Sequence, residues 1–146
     1  MDILPVAVFL AVSLTILTDC NAYLSEAAIK KTQKMLKSVC SKKFPVSDET
    51  LTKVKEGEFP DDNDNLKCYF GCTLKTMQMV NSKGFIEKKL FKDKMTMLAP
   101  PNILEILIPP IEECTEKDQD ELCQSAFNLF KCMYGVDPKC LDYLPV

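Results

Sequence analysis

The residues in this chain that can do chemistry are its cysteines, and the chemistry is oxidative cross-linking. Two of its eight cysteines sit four apart in Cys68-Tyr69-Phe70-Gly71-Cys72. On a helix they share one face, one turn above the other. Oxidised to different distant partners, they would bolt that single helix to two others. Candidate partners are Cys40, with 27 residues intervening before Cys68, and Cys114, with 41 intervening after Cys72, then Cys123 and Cys132 after gaps of 8 each. Cys68 and Cys72 cannot readily pair with each other, since each points outward to a neighbour. Cys123 and Cys132 on one helix stand about 13 Å apart along its axis, too far to bridge. Spacing alone does not choose among the remaining connectivities.

Other chemistry is narrowed by what is missing. The chain has no His, no Trp and no Arg; all 18 basic residues are lysine. Without His there is no Ser-His-Asp or Cys-His machinery and no His-ligated zinc. A secreted phospholipase or similar enzyme is therefore not expected. Without Arg there is no fork for bidentate carboxylate or phosphate recognition. Asp61, Asp62 and Asp64 lack the ligand spacing, turn glycine and terminal Glu of an EF-hand loop, and read as a loop with a helix cap. No metal or cofactor is implied.

Residues 2–17 are almost wholly apolar but too short, with Pro5 inside, for a membrane span of about 20 residues. With the small-residue site at Cys20-Asn21-Ala22 they read as a secretory signal peptide cleaved after Ala22. A lipid anchor at Cys20 and a retained buried helix are the rival readings. Cleavage leaves 124 residues, 23–146, enough for one domain. It also leaves seven cysteines and 18 lysines against 19 acids, a charge near −1 that gives no footprint for nucleic acid. A secreted chain of this size is expected to be oxidised; the rival is a cytosolic helical protein with reduced thiols. No stable membrane insertion is expected.

The elements that must position the cysteines are helices. The first spans 24–43, capped by Ser25, with Ile29, Thr32, Leu36, Val39 and Cys40 on one face and Lys30, Lys31, Lys34 and Lys37 on a solvated face opposite. Pro45 ends it. Ser47-Asp48 starts a short helix stopped by Gly57. A third helix over 64–83 carries Cys68 and Cys72 and stops at Gly84. A fourth spans 86–98. Residues 102–115 are strongly apolar, and Pro109-Pro110 predict a break after 108. A sixth helix covers 119–134, begun by Asp118. Residues 134–146 are an apolar tail without a clear period. No strand-like alternation appears, so the class is all-α: a compact bundle of about six helices.

The order and spacing of Cys40, Cys68, Cys72, Cys114, Cys123 and Cys132 resemble the six-cysteine pattern of the insect odorant-binding proteins, which include the pheromone-binding proteins. The three-residue and eight-residue gaps are the sharp features. The leader, the size and Leu98-Ala99-Pro100-Pro101 before the fifth helix agree. The resemblance implies bridges Cys40–Cys72, Cys68–Cys123 and Cys114–Cys132, and helices arranged around an apolar cavity. Cys140 is extra: a buried or free thiol, or a bridge between two chains, so that either a monomer or a homodimer is open.

From composition, the Met and Phe stripes read as core. The resemblance turns them into a pocket. It implies a lining of Leu36, Phe70, Leu74, Met77, Phe85, Leu98, Phe127, Phe130 and Met133, with Leu144 closing the opening. Phe70 and Leu74 stand where some relatives carry hydroxyls for short alcohols, which implies a longer, more apolar ligand oriented by few hydrogen bonds, from Thr73, Thr76 or Tyr143. Five methionines, Met77, Met79, Met95, Met97 and Met133, lie in or beside the inward segments and adapt to varied shapes. The function so implied is a secreted, extracellular carrier of hydrophobic odorants or pheromones, delivering them through sensillum lymph to an olfactory receptor. Carriage in saliva, venom, haemolymph or reproductive fluid, and a structural protein without ligand, are the alternatives. With no His, a histidine trigger for release is absent; a tail lid anchored by Asp137 and Asp142 to lysines is the expected device.

Overall fold

Helix starts in this chain are written in its small polar residues. Ser25 Oγ accepts the Ala28 N–H at 3.2 Å, Ser47 Oγ that of Thr50 at 3.1 Å, and Asn63 Oδ1 that of Leu66 at 3.0 Å. Each satisfies a backbone donor that a helix leaves free at its first turn. The computed structural model describes residues 23–115 and 121–146. The expected leader over 1–22, and the predicted start of the sixth helix at Asp118–Asp120, lie outside them.

The described residues form six α-helices and one 3-10 helix: α1 Glu26–Lys43, α2 Asp48–Lys55, α3 Asp64–Thr76, α4 Lys88–Leu98, α5 Pro101–Cys114, α6 Leu122–Val136 and the 3-10 helix Pro138–Tyr143. Among them no strand occurs, only one antiparallel bridge between Val80 and Ile86. α3 and α6 make the most extensive pairing. Gly71 lets them approach: a Cβ there would lie 3.3 Å from Leu122 Cγ. Their interface is aromatic, with Phe70 stacked on Phe130 at 4.3 Å between ring centres and 7° between planes, and Phe127 beyond at 6.5 Å.

The three bridges are Cys40–Cys72, Cys68–Cys123 and Cys114–Cys132. α3 is thus joined to α1 by one cysteine and to α6 by the other. Each bridge contributes about 2–4 kcal/mol, chiefly by restricting the unfolded chain.

The boundaries around the end of the third helix differ most from the sequence expectation. The third helix was expected to run to residue 83, but α3 stops at Thr76. Gln78 takes the left-handed conformation (φ 57°), the Met79 N–H reaches back to the Leu74 carbonyl (2.9 Å) and the Gln78 N–H to that of Lys75 (3.1 Å). This is a Schellman ending, sealed by the buried pair Leu74 and Met79. Residues 77–87 instead form a tight turn in which Asn81 Oδ1 accepts the N–H groups of Lys83 and Phe85. The fourth helix accordingly begins at Lys88 rather than at 86.

The predicted break at Pro109-Pro110 does not occur, and α5 runs unbroken from Pro101 to Cys114. Two interior prolines cost on the order of 6 kcal/mol. Against that, Ile103, Leu107 and Ile111 are buried on one face, at about 1.5–3 kcal/mol each. Pro110 is itself buried, and the Cys114–Cys132 bridge pins the last turn to α6. Packing overrides local propensity here.

Candidate functional site

The C-terminal tail, without a clear period in sequence, is an ordered, buried element. Asp137, expected as an anchor to lysine, instead caps the 3-10 helix by accepting the Lys139 N–H at 2.9 Å. Leu141 and Leu144 are buried. Polar groups of the bundle hold the segment down. Gln33 Nε2 on α1 donates to the carbonyls of Asp142 (2.8 Å) and Leu144 (2.9 Å), and the Tyr69 hydroxyl on α3 donates to that of Pro145 (2.6 Å). Burial, with Asp48 adding, holds the Tyr69 phenol well above its ordinary pKa.

Beneath this segment lies an apolar void of about 50 Å³. Its walls come from six places. α1 supplies Ile29, Thr32, Gln33 and Leu36; Met77 projects from the end of α3; α4 gives Met95, Leu98 and the following Ala99; α5 gives Ile103 and Leu107. Tyr143 and Pro145 form the tail side, and Leu24 closes the N-terminal side, its N–H bonded to the Leu98 carbonyl at 2.8 Å. Of the polar wall residues, Thr32 and Gln33 are occupied: Thr32 Oγ1 donates to Ala28, and Gln33 holds the tail. Any ligand here would be held by dispersion and desolvation. Sites for drug-sized ligands run to about 300–1,000 Å³, so this void is too small to hold one as it stands.

Of the residues expected to line a pocket, Leu36, Met77 and Leu98 meet on this void. Phe70, Leu74, Phe127, Phe130 and Met133 are buried in the packed core, away from it. Their stripes serve the α3–α6 interface. Leu144 is buried in the tail without facing the void, and Phe85 is 43% exposed on the turn organised by Asn81. Thr73 donates inside its own helix to Phe70, and Thr76 to Cys72. Of the α4 and α5 walls only Leu98 was expected; Met95, Ala99, Ile103 and Leu107, like Ile29 on α1, were not named as lining. The i, i+7 repeat of Ile29 and Leu36 and the i, i+4 pair Ile103 and Leu107 carried that signal.

Cys140 is unpaired and fully buried. Burial, helped by Asp137 and Asp142, pushes its thiol up to about 12. A bridge to a second chain is sterically closed while the tail is docked. Among the described residues no group of metal-ligating side chains occurs, and no helix is long and apolar enough to cross a membrane.

Residues 22–135 match the PBP/GOBP family. The chain belongs to that family. Among its PBP/GOBP relatives is general odorant-binding protein 72 of Anopheles gambiae, 30% identical over 118 residues, covering 80% of this chain and 96% of the mosquito protein. General odorant-binding protein 19a of Drosophila melanogaster is 25% identical over 131 residues, covering 86% and 88%. Odorant binding protein 4 of Chrysopa pallens superposes with a TM-score of 0.74 at 31% identity, covering 84% of this chain and 99% of that one. Odorant binding protein 5 of Apis mellifera, at 23% identity and a TM-score of 0.72, shares the fold. PBP/GOBP proteins are carriers of small hydrophobic ligands rather than enzymes.

Proposed function

We propose that this chain is a secreted carrier that takes up an apolar odorant or pheromone beneath its C-terminal segment and delivers it through aqueous fluid to a receptor. The observation that carries this reading is the apolar void walled by four helices and roofed by Tyr143 and Pro145. Entry requires the roof to lift and Met77 and Met95 to re-pack, which their flexible, polarisable side chains allow. The tail thus acts as a lid, released without any histidine.

Affinity of the right order follows from size. A ligand of about 15 heavy atoms at roughly 0.5 kcal/mol per atom gives about 7–8 kcal/mol, or micromolar binding. That is tight enough to solubilise and loose enough to release. The test is titration of oxidised protein, residues 23–146, with a hydrophobic fluorescent probe, followed by displacement with long-chain alcohols, aldehydes, esters and terpenoids. Saturable micromolar binding with selective displacement is expected. No binding by a folded, correctly bridged protein overturns the reading.

A further inference from the structure

The lysines of α1 do not all belong to one solvated face. Lys30, Lys34 and Lys37 line an open groove of about 540 Å³ between α1 and the docked tail, joined there by Lys55 from the end of α2. The inner side of this groove is apolar: Ile29, Ile103, Tyr143 and Pro145. These same four residues, with Gln33, are also walls of the void. Groove and void are therefore two sides of one partition, and lifting Tyr143 and Pro145 would merge them.

The charges are unbalanced. Two carboxylates, Glu26 and Asp142, face the groove against the three lysines left once Lys37 is paired with Asp48. Lys37 is paired with Asp48 at 2.8 Å, whereas Lys30, Lys34 and Lys55 make no ion pair with any described residue. Lysine stems lie along apolar surface while their ammonium groups stay in water. A cationic rim over an apolar partition complements an alkyl chain ending in a single negative charge. Isolated ammonium groups act as point charges, without the fork that favours phosphate.

We infer that the groove is a headgroup subsite, and that the preferred ligand class is a long-chain carboxylate whose chain passes the Tyr143–Pro145 partition into the void while its head meets Lys30 and Lys34. This inference rests on the carrier reading, and the test separates the two. Displacement of the fluorescent probe by dodecanoate is compared with displacement by dodecan-1-ol at neutral pH and low salt. Dodecanoate is expected to bind about fivefold tighter, as befits two exposed ammonium groups, with the preference shrinking as salt rises. The double variant Lys30→Gln/Lys34→Gln should bind both ligands equally, while Lys31→Gln, outside the groove, should keep the preference. Equal affinities in the unaltered protein, or a preference that survives the double variant, overturn the headgroup subsite and leave the carrier standing. If neither ligand displaces the probe, the headgroup subsite falls; if the probe itself does not bind, the carrier reading falls with it.

Discussion

The hydroxyl of Tyr69 lies 2.6 Å from the carbonyl of Pro145, a buried bond across 76 positions of sequence. It fastens the last turn of the chain to the helix that carries two of the three bridges. Replacing Tyr69 by Phe leaves that carbonyl without its donor. A lost hydrogen bond with a buried group left over costs about 1–3 kcal/mol. The loss should concentrate in the tail: hydrogen exchange at residues 140–146 accelerates, while the amides of α3 and α6 keep their protection. Uniform acceleration across the bundle would show that the bond supports the whole fold instead of the lid.

Filling the void separates binding from stability. Ala99 is buried on its wall, and Ala99→Leu places three more carbons there. Burial gain and overpacking roughly cancel, so stability should shift by less than about 1.5 kcal/mol. Probe affinity should fall about tenfold or more. Thermal unfolding and probe titration on the same sample check both halves; unchanged affinity would move the site elsewhere.

Deleting residues 141–146 removes the roof and uncovers Cys140. Loss of the Tyr143 and Pro145 contacts should weaken a bound probe by about 1–2 kcal/mol. A thiol reagent that scarcely touches the intact protein should then label Cys140 within minutes. Affinity unaltered by the deletion would end the lid proposal.

Titration should act on the alkaline side. Cys140 is raised from its ordinary 9.0 to about 12, because burial disfavours the thiolate. The folded state therefore binds the proton more tightly than the unfolded one. Its contribution is whole below about pH 9 and is lost as pH climbs through the folded value. Tyr69, raised by the same cause, adds to the loss. Denaturation midpoints should fall above about pH 9, and fall less in Cys140→Ala. With no histidine in the chain, affinity for a neutral ligand should stay flat through the mildly acidic range.

Gly57 offers a test of packing at a residue that does not line the void. Its φ is +93°, and a Cβ would come within 2.7 Å of the Tyr134 ring. Gly57→Ala meets both strain and a clash, and about 1–3 kcal/mol of stability should be lost. Chemical denaturation measures it, with probe affinity at low denaturant left unchanged.

Local signals in the sequence carried far. Ser25 and Ser47 announce their helices because capping is a contact between near neighbours. The six-cysteine spacing identifies the frame that ties α3 to α1 and α6. What was not legible depended on distant partners. Gln78 ends α3 in a conformation usually left to glycine, and nothing beside it in sequence says so; the Leu74–Met79 contact decides. Pro109 and Pro110 are helix breakers by local rule, overruled by burial of the α5 face. In the site, large aromatics such as Phe70 and Phe130 draw attention because they suit either a pocket or a core. Here they fill space against each other, and the void is bounded by smaller residues such as Ala99 and Ile103.

The distribution of cross-links leaves the bundle unevenly stiff. α1, α3, α5 and α6 each hold a bridged cysteine; of the elements that hold none, α4 and the 3-10 helix reach the void and α2 does not. α4 and the 3-10 helix do so through Met95 and Leu98 on one side and Tyr143 on the other. The space thus has a rigid back and a compliant front. A guest of greater girth would be accommodated by outward travel of α4, so the elasticity of one unstapled helix, more than the shape of the closed void, would set the upper size of cargo.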